Sequence, residues 1–176
     1  MASMAVSVFG SNDAREGGAD YETARAVGRI LAQLGYDVAN GGYGGAMEAS
    51  ARGAKEAGGR TIGVTCSVWS PSANAYIDET IVAADWVQRL TKLVEIGRGG
   101  YVVLPGATGT LVELAVVWEQ MCKKLLARRP VVCVGEFWRP VIETISRAGP
   151  KAVGIVSFVP AADGLRRFFS PARAFN

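Results

Sequence analysis

The sequence predicts an α/β protein with a Rossmann-like, doubly wound parallel sheet and helices on both faces. Short β-rich runs alternate with longer helical ones along all 176 residues, as repeated strand–helix–strand units require. The runs "YVVL" and "PVVCV" are apolar without a break, so they suit strands covered on both sides. Three of the strand-like runs end in glycine-rich loops, "FGSN", "NGGYGG" and "LPGATGT". In open α/β sheets ligands sit outside the carboxyl ends of the strands, so these loops mark the functional rim. The length suits one domain spanning 1–176.

Each element has a local reason. Met4–Phe9 ("MAVSVF") reads as the first strand. Asp20–Leu34 reads as a helix, with Ala24, Val27, Leu31 and Leu34 on one face and Gly35 as its stop. "YDVA" is a short second strand. In "AMEASARGAKEAGG", Ala46, Ala49, Ser50, Gly53, Ala54 and Ala57 share a helical face made only of small residues, which lets that helix lie close to its neighbour. "TIGVT" is a third strand, and Cys66–Ile77 a loop long enough to be functional. Ala84–Gly97 reads as a helix, Tyr101–Leu104 as a strand, and the stretch after "LPGATG" as an apolar helix. "PVVCV" (Pro130–Val134) is another strand, Trp138–Ala148 a helix, "GIVSFV" (Gly154–Val159) a last strand, and Ala162–Phe169 a short terminal helix.

Composition removes several chemistries. The chain contains no histidine, so Ser-His-Asp or Cys-His catalysis and His-ligated metal are excluded, and no metal site is expected. Cys66, Cys122 and Cys133 are unpaired in spacing and read as free thiols in a reducing compartment. A net charge of +3 is too mild to signal nucleic acid. No apolar run approaches a membrane span, and the start "MASMAVSVFGSN" lacks the basic region of a signal peptide. A cytoplasmic location is expected, with no membrane partner.

The rim loops suit an anion. Glycine lets backbone N–H groups approach closely, and a helix N-terminus adds free donors and partial positive charge. "GATGT" leading into a helix is such a cradle, with the Thr108 and Thr110 hydroxyls as further donors. It is neither a P-loop nor a dinucleotide fingerprint, and no acidic residue closes the second strand as a ribose ligand for NAD. No cofactor is therefore expected. Thr110 and Glu113 have the T-x-x-E spacing of a capping box. Glu113 is thus either a helix cap or a carboxylate at the mouth of the cradle, where an apolar helix (Leu111, Val112, Leu114–Trp118) would wall it in. Arg89 in "WVQRLTKLVEIG" follows the functional rim, and either reaches the site or lies with Lys92 on a solvated face.

"GGYGGAMEASARGAKEAGGRTIGVT", followed by an Arg-bearing helix and "VVLPGATGTLVEL", resembles the LOG family, from about Val6 to Val134. The family signatures are GG-x-x-G-x-M and P-G-G-x-G-T-x-x-E. The resemblance implies a Rossmann-like homodimer that hydrolyses the N-glycosidic bond of cytokinin riboside 5'-monophosphates or AMP, releasing the base and ribose 5-phosphate. It further implies that Gly106, Ala107, Thr108, Gly109 and Thr110 hold the phosphate and that Glu113 and Arg89 are catalytic. Gly10, Ser11, Gly41, Gly42, Gly45 and Met47 would line the nucleotide site. Ala107 stands where the motif has its second glycine, which would strain the loop if φ there were positive. "RLTK" replaces the family's Arg-Lys pair, so a second positive charge is lost or moved to Lys92. In the implied reaction Glu113, expected to be ionised in a first helical turn, would stabilise an oxocarbenium-like centre at C1'. Glu48, Asp85, Glu119 or water would supply the proton to the leaving base. A nucleotide or molybdenum-cofactor carrier of the same fold is the alternative, because such a cradle can bind without turnover.

Overall fold

The computed structural model describes residues 4–170. Seven parallel strands form one sheet: β1 Ala5–Phe9, β2 Asp37–Asn40, β3 Thr61–Cys66, β4 Glu79–Ala83, β5 Gly100–Val103, β6 Val131–Val134 and β7 Val156–Val159. Their spatial order is 4-3-2-1-5-6-7. The helices are α1 Ala19–Gln33, α2 Ala46–Glu56, α3 Trp86–Ile96, α4 Thr108–Cys122 and α5 Arg139–Ala148, with 3-10 turns at Pro150–Ala152 and Ala162–Arg167. This is the Rossmann-like architecture that the strand–helix alternation predicts.

The alternation of side chains explains the two layers. Val102, Leu104, Val132 and Val134 face one core with Val6 and Val8 of β1, under α1 and α2. Their neighbours Tyr101, Val103, Val131 and Cys133 face the other core with Phe9, under α3, α4 and α5. A strand buried on both faces is apolar at most positions, and a polar exception such as Ser7 of β1 needs a partner, here Leu93 O at 2.7 Å; unbroken apolar runs such as these are therefore visible in the sequence. Among the described residues, no helix is long and apolar enough to cross a membrane.

The small-residue face of α2 meets α1. A Cβ on Gly28 would lie 1.8 Å from the Ser50 carbonyl oxygen, and one on Gly53 would lie 1.8 Å from that of Arg25. The two backbones therefore cross in contact, each glycine making room for the other helix. Asn40 at the end of β2 fixes the start of α2 by donating to Met47 O (2.9 Å) and Ser50 Oγ (3.1 Å).

Strand β4 is not apparent in the sequence. "ETIVA" pairs only with β3, at the sheet edge, and most of it is exposed. An edge strand tolerates Glu79 and Thr80, so it carries no continuous apolar run. The helix expected from Ala84 begins at Trp86, because Asp85 caps it by accepting the Gln88 N–H at 2.8 Å. The expected terminal helix is a 3-10 turn.

Candidate functional site

Chain order reverses between β2–β1 and β1–β5, and the crevice opens above β1 and β5. Three loops are laced together there. The Ser11 N–H donates to Pro105 O (3.2 Å), the Ala46 N–H donates to Ser11 O (2.8 Å), and the Gly44 N–H donates to Asn12 Oδ1 (3.1 Å). Gly45 must be glycine: its φ is +63°, and a Cβ would fall 2.4 Å from the Asn12 carbonyl carbon. The crevice encloses about 270 Å³, lined by Gly10, Ser11, Asn12, Asp13, Tyr43, Met47, Trp69, Arg89, Ala107, Gly109, Thr110 and Glu113.

Most of the expected site residues therefore meet. Gly41, Gly42, Gly45, Gly106 and Thr108 do not line the crevice; they shape it or face away. Gly41 O accepts from Arg89, and Gly42 makes a turn at φ +77°. Gly106 gives Thr110 its place, since a Cβ there would lie 2.2 Å from Thr110 Oγ1. Thr108 is exposed. Asn12, Asp13, Tyr43 and Trp69 also line the crevice, though no motif pointed to them. Asn12 and Tyr43 lie inside the glycine-rich loops already marked, and Trp69 inside the long loop after β3.

The N-terminus of α4 differs from the capping-box expectation. Ala107 is the N-cap, at φ −94° and ψ −153°, with no side chain capping the helix. Extended backbone there suits alanine, so the departure from the second motif glycine introduces no strain. The Leu111 N–H closes the first helical turn on Ala107 O at 3.0 Å. The N–H groups of Thr108, Gly109 and Thr110 consequently have no intrahelical acceptor. Glu113 stands in the second turn, on the face shared by Gly109 and Thr110, and caps nothing.

Glu113 is also not the freely ionised group expected. Burial pushes its carboxyl up to about 7, against the opposing attraction of Arg89. Only 15% of its side chain is exposed, and Arg89 Nη1 lies 4.0 Å from Oε1. Desolvation outweighs the ion pair.

Arg89 turns inward while Lys92 turns out. The Arg89 side chain donates from Nε to Val64 O (2.8 Å) and from Nη2 to Gly41 O (3.1 Å). Its guanidinium also lies over the rings of Tyr43 (5.4 Å) and Trp69 (5.6 Å). Lys92 pairs with Glu95 at 2.9 Å and adds no charge to the crevice. None of the proposed proton donors lines the crevice. Glu48 accepts from Tyr21 Oη (2.8 Å), Asp85 caps α3, and Glu119 pairs with Lys123 (3.7 Å). Asp13 is the further carboxylate that does line it.

Two larger hollows lie elsewhere. One of about 570 Å³ runs between α1 and the last 3-10 turn, and one of about 390 Å³, almost wholly apolar, lies between α4 and α5. Neither is lined by a buried ionisable pair such as Arg89 and Glu113 in the smaller crevice.

Fold and crevice together define a Rossmann-like α/β protein with a buried carboxylate–guanidinium pair beneath an open helix N-terminus. The model of the SLOG cluster4 family matches residues 3–153, and the chain belongs to that family. An uncharacterized protein of Archaeoglobus fulgidus is 30% identical over 132 residues, 75% of this chain and 85% of its own length. A cytokinin riboside 5'-monophosphate phosphoribohydrolase of Mycobacterium tuberculosis is 36% identical over 100 residues; the match covers 55% of this chain and about half (53%) of that enzyme. Among solved structures, a molybdenum cofactor binding protein from Rippkaea orientalis superposes with a TM-score of 0.78 at 22% identity, covering 95% of each chain. That likeness is one of fold. The LOG resemblance thus holds as a distant one over about half the chain, within the SLOG cluster4 family.

Proposed function

We propose that the protein binds a nucleoside 5'-monophosphate in this crevice and hydrolyses its N-glycosidic bond, releasing the base and ribose 5-phosphate. The observation that carries the reading is Glu113: a largely buried carboxylate, poised near neutrality, on the helix face that also presents the free N–H groups of Gly109 and Thr110. The phosphate sits on those N–H groups, where the α4 dipole favours an anion. One helical turn, about 5.4 Å, separates the mouth from the acid, which leaves room for the ribose between them.

Cleavage passes through positive charge at C1'. Ionised Glu113 stabilises that charge and accepts a proton from the attacking water, whose oxygen bonds to C1' as the base departs with the glycosidic electron pair. The base takes up a proton from solvent or Asp13. A group titrating near 7 is half ionised at neutral pH and suits a general base. Arg89 acts through Glu113: two of its nitrogens are committed to backbone carbonyls, and the third opposes the effect of burial on the acid. Its part is therefore positioning and tuning rather than gripping the phosphate.

The proposed enzyme acts as a homodimer. The groove between α4 and α5 leaves Leu111 (37%) and Ile145 (48%) exposed, an apolar face that a second copy would cover.

The test is incubation of purified protein with a panel of nucleoside monophosphates, following free base by chromatography. Base release by the wild type and its loss in Glu113→Gln are expected. Binding of nucleotide without release by the wild type would assign carriage instead, and release undiminished in Glu113→Gln would remove the acid from the mechanism.

A further inference from the structure

Trp69 is unusual for its position. It is 57% exposed, yet it lies on a loop fastened from several sides. The Trp69 and Ser70 N–H groups both donate to Cys66 O (3.1 and 3.0 Å). Tyr43 Oη accepts the Cys66 N–H (2.8 Å) and donates to Ser70 O (2.8 Å). Thr65 Oγ1 donates to Pro71 O (2.9 Å), and Asn74 Nδ2 donates to Tyr43 O (2.8 Å). The loop is a fixed bracket tying the end of β3 to the "NGGYGG" turn. An indole held partly in water on a rigid support presents apolar area that a ligand entering the crevice would cover.

Its neighbours define what that ligand offers. Tyr43 meets the indole edge to face, with centroids 6.4 Å apart, and the buried Arg89 guanidinium lies over both rings. The same guanidinium faces Glu113 at 4.0 Å, so acid and indole flank one cation in one crevice. A group joined to a C1' held at Glu113 would share this crevice with Trp69. Planar, π-rich rings gain most from an aromatic platform.

We infer that Trp69 is a specificity-determining residue: it stacks on the base of the bound nucleotide and favours purine over pyrimidine 5'-monophosphates. The inference rests on the nucleotide reading above. Stacking grows with ring area, so the two-ring base benefits more, and no hydrogen bond to a particular base edge is required.

The test is calorimetric titration of AMP, cytidine 5'-monophosphate and ribose 5-phosphate into Glu113→Gln protein, which leaves the nucleotide intact, with residue 69 as Trp, Ala or Phe. Trp69→Ala should weaken AMP binding roughly 5- to 150-fold, the range that 1–3 kcal/mol of base–aromatic stacking corresponds to. Ribose 5-phosphate binding should stay within about twofold of its value with Trp69 present, since it has no base to stack. Trp69→Phe should recover most of the AMP affinity, and the preference for AMP over cytidine 5'-monophosphate should vanish in Trp69→Ala. Equal AMP affinity with and without the indole overturns the stacking role while leaving the nucleotide reading intact. An equal loss of AMP and ribose 5-phosphate also overturns it, because the indole would then merely support the loop. If the protein with Trp69 binds none of the three, the nucleotide reading itself fails and stacking falls with it.

Discussion

Replacing Glu113 by Gln tests the charge state of the site without reference to any substrate. The carboxyl is raised from the ordinary 4.5 to about 7 by burial, a figure already net of the attraction of Arg89. The folded state therefore keeps its proton while the unfolded chain gives it up. As pH rises from 4.5 to 7, the folded form binds more protons than the unfolded form, and stability falls. Below 4.5 the penalty is absent; above 7 it is complete, at about 3 kcal/mol. Glutamine cannot ionise and fills the same space. Glu113→Gln should match the wild type at about pH 4 and exceed it by about 3 kcal/mol at about pH 8. For a chain of this size that raises Tm by roughly 6–12 °C. Thermal melts at several pH values read the difference directly. A stability gap that stays constant with pH, or a wild type more stable than the variant at pH 8, would refute the buried, near-neutral carboxylate.

Other consequences follow from the same geometry. The kcat/KM for base release should rise through an apparent pKa of about 7 as Glu113 ionises, and a pH–rate profile checks it. Arg89→Met removes the one influence that lowers the acid and strands two buried carbonyls; the pH profile should move upward, and chemical denaturation should show a loss of roughly 3 kcal/mol or more. Gly28→Ala and Gly53→Ala each drive a methyl into a carbonyl oxygen 1.8 Å away and should cost stability at the upper end of about 1–3 kcal/mol. Gly109→Ala meets open space, so its melting temperature should stay near that of the wild type while phosphate-bearing ligands bind less well in a titration. Ile145→Glu, placed in the groove proposed to pair two copies, should leave a monomer in light scattering where the wild type gives a dimer.

The sheet was legible because strands covered on both faces are mostly apolar and admit a polar side chain only where it finds a partner. "YVVL" and "PVVCV" announce themselves, and "ETIVA" at the edge does not, since one open side releases it from that rule. The stripe of small residues on α2 was legible too, although its partner α1 was not. Sequence order also located the rim, because strand ends that share a direction must share an edge. What it could not supply was the environment of any one side chain. The spacing of Thr110 and Glu113 fits a cap, yet the chain enters the helix at Ala107, and the true boundary depends on how the Pro105–Gly106 turn packs. Arg89 and Lys92 are alike in sequence; only the position of β3 and the "NGGYGG" loop decides that one is buried and the other solvated. The pKa of Glu113 and the bracket behind Trp69 have the same origin. Both arise from residues distant in the chain closing over a point in space, and local pattern contains no record of what folding places there.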